Sequence, residues 1–272
     1  MALIIAHRGA RSLAPENTLA AARKALAVGA DLWETDVMVT RDGELILFHD
    51  DSLVRTTDVK DRFPGRDPWR VAMFTLDEIR VLDAGSWFLE DDPFGMIVAE
   101  AVTGEELSGY KGERIPTLAE GLHFTRDVGF RVNLELKRLS TPLGDFPLVE
   151  RVLKAIDDAG IGYEHFVVSS FNHEWLRDIR ARNPSLEIQA LVSYAEIRSL
   201  DWENPEFATY NLRSTLIDEA RIQAMREKGI AINLFTVNEA DEMLRFAKAG
   251  AAGLITDFPQ RAENRDTPPF LR

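Results

Sequence analysis

Eight times along its 272 residues this chain alternates a short apolar run with a stretch of helical spacing, and that rhythm restricts the fold more than any other feature. The runs begin near Leu3, Leu32, Arg131, His165, Leu186, Phe207, Ile230 and Gly253. Apolar residues recur at helical spacing over 17–28, 118–127, 147–158, 174–182, 217–228 and 239–249, with a weaker pattern over 194–200. Short apolar runs separated by helices read as parallel strands covered on both faces. Eight such units favour a closed (β/α)8 TIM barrel over an open doubly wound sheet. A barrel of this kind occupies about 250 residues, so one domain spanning 1–272 is expected.

The rhythm breaks once. A hairpin is expected first, from 32–39 through an Arg41-Asp42-Gly43 turn into Leu45 to Phe48. Between Asp50 and Arg114 only one helix is then evident, around 75–82. The stretch is far longer than an ordinary connection, so an insertion over about 51–114 is expected between the second and third barrel strands. Its acidic part, 90–112, contains Asp92-Pro93-Phe94-Gly95 and fits either a solvated excursion or a lid that shapes substrate choice at the barrel mouth.

Composition removes several function classes. Lys+Arg 32 against Asp+Glu 45 leaves a net charge of −13, the wrong sign for a nucleic-acid partner or an anionic membrane surface. The chain has no cysteine, so disulfides, thiol catalysis and cysteine-ligated metals are excluded. No apolar run approaches the length of a membrane span, and the MALIIAHRGA start is too short in its apolar part for a secretory signal. A cytoplasmic location without integral membrane association is expected, with a small molecule as substrate.

Polar residues that follow a barrel strand face the mouth, where sites are built. His7-Arg8-Gly9 directly follows Leu3 to Ala6, and His49 directly follows Leu45 to Phe48. On the second strand Glu34 and Asp36 lie two apart and share a face. Two carboxylates on an otherwise apolar strand need neutralising; a hard divalent cation would do it, Mg²⁺ or Ca²⁺, and so would an ion pair to an arginine. Asn133, Glu135 and Lys137 share a face of the third strand by the same alternation. Arg8 and Lys137 suit an anionic substrate, and two imidazoles suit a general base and a general acid. A cation with an acid/base pair and phosphate clamps implies phosphodiester cleavage.

Other candidates have structural readings of comparable or greater weight. Asn17 in Pro15-Glu16-Asn17-Thr18 reads as a helix N-cap. His123 lies mid-helix, and His165 precedes a strand at the end away from the mouth. His173 could line the mouth, though Asn172 capping a helix explains that segment equally well. Phe171 and Phe235 fall at strand ends, as core residues or as an apolar wall for substrate.

The segments HRGARSLAPENTLAA, WETDVMVTRDGELILFHDDSLVRTTD, LDAGSWF, RIPTLAEGL, NLELK, SSFN, FTVNE and GLITDFP occur in an order that resembles the glycerophosphodiester phosphodiesterase family, from Ile5 to Pro259. The resemblance implies a TIM barrel and metal-dependent hydrolysis of glycerophosphodiesters to sn-glycerol 3-phosphate and an alcohol. It implies Glu34, Asp36 and Glu135 as metal ligands and His7 and His49 as the acid/base pair. Arg8 and Lys137 become phosphate contacts, and Glu16 helps to organise the glycerol end. Members often carry tryptophan where this chain has Phe235, which keeps an apolar wall without the indole N–H. A sphingomyelinase D-like enzyme shares the layout and is the rival within the fold. A catalytically dead barrel would lack at least one of these groups, and a zinc amidohydrolase would place a His-x-His pair where this chain has His7-Arg8-Gly9.

Overall fold

The computed structural model describes residues 1–198 and 200–262. Nine strands form one sheet: β1 (Leu3–Ala6), β2 (Leu32–Val39), β3 (Leu45–Leu47), β4 (Val132–Leu136), β5 (Phe166–Ser170), β6 (Glu187–Val192), β7 (Thr209–Arg213), β8 (Ala231–Phe235) and β9 (Gly253–Thr256). Eight of them pair in parallel, and β1 hydrogen-bonds both β2 and β9, so the sheet closes into the expected barrel. The ninth, β3, pairs antiparallel with β2 and forms the expected hairpin.

The helices, in chain order, are α1 (Leu19–Ala27), α2 (Val59–Arg62), α3 (Leu76–Ile79), α4 (Ser86–Asp91), α5 (Gly104–Tyr110), α6 (Leu118–Val128), α7 (Leu148–Asp158), α8 (His173–Arg182), α9 (Glu219–Glu227) and α10 (Ala240–Ala249). The main core lies between barrel and helices and includes Trp33, Leu134, Phe166, Val168, Leu212 and Leu234 on strands, facing Leu122, Val152, Leu176 and Phe246 on helices. The period of two along each strand then aims the alternate residues inward. Ile5, Leu32, Val167 and Ile255 pack together there. On the other side of the ring the side chains are amides: Asn233 Nδ2 donates to Gln189 Oε1 at 3.0 Å and to Asn211 Oδ1 at 2.8 Å. Two residues beyond Ile5, Leu32 and Val167 come His7, Glu34 and Ser169, and on β4 Glu135 follows the buried Asn133 by two, so the packed layer is the floor on which these groups stand.

Two boundaries depart from expectation with consequences for the site. The sixth barrel strand runs from Thr209 to Arg213, two residues later than the apolar run at Phe207 suggests, because Phe207 packs as a loop residue against Tyr210. Arg213 therefore reaches the rim. Over 194–200 only a 3-10 turn at Glu196–Arg198 forms in place of the expected helix, and residue 199 lies outside the described residues.

Between β3 and α6 the chain holds four short helices, α2 to α5, where the sequence suggested one. Thr75 caps α3 and Thr103 caps α5, each with a reciprocal glutamate three residues on, which stabilises a helix too short to show periodicity. The segment shares a separate core with the hairpin, including Met38, Ile46, Phe48, Leu53, Phe74 and Ile79. Its later part is anchored to the barrel: Tyr110 Oη donates to Leu13 O at 3.0 Å, Lys24 pairs with Glu106, and Phe94 packs edge-on against Phe258 at 5.4 Å.

Gly9 has no substitute at its position. Its φ is +79°, and a Cβ there would lie 2.6 Å from Ala21 C on α1. The turn after β1 thus lies tight against α1, which fixes where Arg8 can point.

Candidate active site

The strand ends bring His7, Arg8, Glu34, His49, Asn133, Glu135, Lys137, Phe171 and Phe235 around one cavity of about 200 Å³. A cleft of about 900 Å³ adjoins it, and His49, Glu135, Lys137 and Phe171 border both. His7 faces only the inner cavity.

The carboxylates form a nest. Register places Glu34 beside Asn133 and Asp36 beside Glu135 on the neighbouring strand, and ligand atoms of Glu34, Asp36 and Glu135 lie within 4.8 Å of one another. Glu34 Oε2 accepts from the Arg8 backbone N–H at 2.8 Å, while its Oε1 is buried without a partner. Burial and the charges of Asp36 and Glu135 push the Glu34 carboxyl well above the usual carboxylate range, and burial with Asp36 also raises Glu135. Asp36, equally buried, is held low by Lys137, Arg8 and His49. Lys137 Nζ stands 2.7 Å from Glu135 and 3.4 Å from Asp36; Arg8 Nε is 3.4 Å from Asp36. The ion-pair reading therefore accounts for part of the charge on Asp36 and Glu135 and leaves Glu34 unneutralised. A buried, orphaned carboxylate oxygen in an all-oxygen donor set fits a hard divalent cation.

Each rim histidine has its own carboxylate. His7 Nδ1 meets Asp257 Oδ1 at 2.7 Å, and His49 Nδ1 meets Asp50 Oδ1 at 2.5 Å. Engaging Nδ1 fixes the ring and leaves Nε2 as the free nitrogen. Burial, together with Arg8 and Arg11, lowers the His7 pKa below its ordinary value, opposed by Asp257. Burial acts to raise Asp257, but His7 and Arg11 outweigh it and hold that carboxylate ionised. His7 is thus neutral at neutral pH, as a proton acceptor must be.

Several residues play parts that the sequence did not suggest. Asn17 is not the N-cap of α1; Thr18 is, accepting from Ala21 N. Asn17 instead turns inward at φ +55°, donates to Asp36 Oδ2 at 2.9 Å and accepts from Thr35 Oγ1 at 2.7 Å. Arg8, at φ +56°, is held in the left-handed region by its bonds to Glu34 and Glu16. Glu16, expected at the glycerol end, does not line the cavity: its carboxylate is buried among Arg8, Arg11 and Arg55. Against the effect of burial, Arg55, Arg11 and Arg8 hold it far below the usual carboxylate range. Arg213, absent from the sequence candidates, lines the cavity with its guanidinium 5.6 Å from the Phe235 ring centre. Phe171 and Phe235 pack edge-on at 6.4 Å and both line the cavity.

The remaining histidines lie elsewhere or hold structure. His123 borders a surface groove with α1 residues, and His165 bonds Gly162 O in the turn before β5. His173 borders the cleft, but its Nε2 donates to Leu191 O at 2.9 Å and its ring packs on Phe207, while Asn172 caps α8.

Replacing Asp257 by asparagine is expected to lower kcat by at least about 10²-fold, because an amide can present a donor to Nδ1 and favour the wrong tautomer. The sign of the pH effect follows from the charge: Asp257 raises the His7 pKa, so its loss lowers that pKa further and moves the acid limb of the kcat/KM profile to lower pH. A limb that stays in place or moves up contradicts this role.

A rim with two imidazole–carboxylate pairs, a three-carboxylate nest and the cationic side chains of Arg8 and Lys137 has the groups that phosphate-ester hydrolysis needs, and comparison with known proteins specifies the kind. The sequence profile of the glycerophosphoryl diester phosphodiesterase family matches residues 7–261. A glycerophosphodiester phosphodiesterase of Caldanaerobacter subterraneus subsp. tengcongensis is 34% identical over 269 residues, covering 96% of each chain. An Oleispira antarctica phosphodiesterase, solved in complex with the product sn-glycerol-3-phosphate, superposes with a TM-score of 0.75 at 28% identity over 95% of this chain and 94% of its own. A glycerophosphodiester phosphodiesterase from Agrobacterium tumefaciens gives a TM-score of 0.70 at 27% identity over 96% and 98%. This chain belongs to the glycerophosphoryl diester phosphodiesterase family.

Proposed function

We propose that this enzyme cleaves glycerophosphodiesters into sn-glycerol 3-phosphate and an alcohol, with His7 and His49 as its proton-transfer pair. The observation that carries the reading is the placement of two carboxylate-oriented imidazoles on one cavity that is also lined by Glu34 and Glu135 of the three-carboxylate nest. The inner cavity takes the glycerol phosphate end, with Phe171 and Phe235 as an apolar wall and Arg8 and Lys137 beside the phosphate. The cleft takes the alcohol. The product bound in the Oleispira relative supports this class of substrate.

His7, neutral and facing only the inner cavity, accepts the proton of the attacking oxygen. His49 borders the cleft and donates a proton to the departing alkoxide. The same scheme serves water or the substrate's own glycerol hydroxyl as nucleophile. Glu34, Asp36 and Glu135 would hold one divalent cation, Mg²⁺ or Ca²⁺. When bound, it supplies positive charge to a phosphate oxygen as negative charge builds there. Lys137 and Arg8 add to that field from fixed positions, and Glu16 bears on the substrate through Arg8. We read 1–272 as one barrel domain, with 51–114 as an insertion beside the mouth; its core on the β2–β3 hairpin and its anchors on the β1–α1 turn support that reading.

The test is release of glycerol 3-phosphate from a panel of glycerophosphodiesters, with and without chelator. Release that the chelator stops is expected. No release from any member of the panel rejects the substrate class; undiminished release after complete metal removal rejects the cation.

A further inference from the structure

The two imidazole–carboxylate pairs lie far apart in the chain, yet a continuous series of charged contacts joins them. Arg55 Nε donates to Asp50 Oδ2 at 2.6 Å, the oxygen that His49 leaves free. Its two terminal nitrogens donate to both oxygens of Glu16, at 3.0 and 2.6 Å. Arg11 Nη2 meets Glu16 Oε2 at 2.8 Å, and its Nη1 lies 3.6 Å from the Asp257 oxygen that bonds His7. The order is therefore His49, Asp50, Arg55, Glu16, Arg11, Asp257, His7.

Arg55, Glu16 and Arg11 line neither the inner cavity nor the cleft. Their effect on chemistry must pass through the groups they hold. Glu16 has a side chain only 3% exposed and three arginine partners, so it is a fixed point. Asp50 is different: its side chain is 27% exposed, and Arg55 is the cation on its second oxygen. A guanidinium bridging two carboxylates through different edges of its planar fork fixes their separation as well as their charge. Arg55 comes from the segment after β3, whereas Glu16 precedes α1. That one side chain ties the excursion to the barrel at the point where the second imidazole is set.

We propose that Arg55 is a positioning residue: it anchors Asp50 to Glu16 and so holds the His49 ring at its working place relative to His7. This rests on the proton-transfer reading above. An arginine serving only to fasten the excursion would change thermal stability and leave the kcat-to-KM balance alone; one contacting substrate would change KM.

The test uses the full-length enzyme loaded with its divalent cation. Arg55→Ala is expected to lower kcat by about 10- to 100-fold, as loss of an orienting partner does elsewhere, with KM within about twofold of the parent. Arg55→Lys, and millimolar guanidinium added to Arg55→Ala, should each restore part of kcat. Asp50→Asn combined with Arg55→Ala should be no slower than Asp50→Asn alone, because both changes break one link. Glu16 keeps Arg8 and Arg11 in Arg55→Ala, so the fold is expected to survive; Arg55→Lys gives the answer if it does not. Unchanged kcat, a raised KM with intact kcat, or multiplying effects of Asp50 and Arg55 each overturn the proposal. His49→Ala, run alongside, separates the two readings: if it keeps the parental rate, the proton-transfer scheme has failed; if only Arg55→Ala does, the positioning role alone has failed.

Discussion

His49→Ala is expected to lose about 10²- to 10⁴-fold in kcat on a glycerophosphodiester with an alkyl alcohol, and His7→Ala a loss of the same order. An alkoxide is too basic to leave unprotonated, so the group on the cleft side must deliver a proton as the bond breaks. His49 has the position, bordering both the cavity and the cleft. Asp50 on its Nδ1 fixes the ring and leaves Nε2 as the nitrogen that exchanges the proton. The assignment separates the two variants by leaving group. A diester with an acidic phenol as its alcohol needs no proton on departure, so His49→Ala should regain most of its rate there while His7→Ala stays slow. Recovery of His7→Ala in place of His49→Ala would exchange the roles. Near-normal rates for both variants on the alkyl substrate would remove the pair from the chemistry.

Glu34→Gln is expected to cost more than about 10²-fold in activity while leaving the cation-free protein as stable as the parent or more so. The opposed signs come from one cause. Glu34 is a buried carboxyl with an unpartnered oxygen, pushed up by burial and by Asp36 and Glu135. Making it neutral relieves repulsion in the empty nest and removes an oxygen ligand from the filled one. A cation at 100 times its Kd stabilises a protein by about 2.7 kcal/mol, so parental Tm should rise by roughly 5–10 °C on adding Mg²⁺ or Ca²⁺. Glu34→Gln should show a small fraction of that rise. A full thermal response in the variant would place the cation elsewhere.

Much of this site was legible because strand geometry is simple. A period of two put Glu34 with Asp36 and Asn133 with Glu135 and Lys137, and the rule that sites follow strands found both rim histidines. Local rules failed where a residue's partner was distant. Asn17 satisfies every local requirement of an N-cap, and only the approach of β2 shows that its amide serves Asp36. Asp257 follows β9 as His7 follows β1, so the strand-end rule reaches it, but its purpose depends on a contact 250 residues away. Arg213 was passed over because Phe207 extended the apolar run in the wrong direction. Arg55 lies in a segment that carries the family resemblance, but nothing local assigns it a role, because its two carboxylates meet only in three dimensions.

The seam of the barrel, where β9 pairs with β1, has a consequence for biosynthesis. The imidazole made first, at residue 7, waits for a carboxylate at residue 257, almost the last part of the barrel to leave the ribosome. A chain that stops short of residue 257 lacks the carboxylate that holds the His7 ring. On the proposed scheme, fragments that end before residue 257 are expected to release no glycerol 3-phosphate, which an assay of chains truncated ahead of β9 checks.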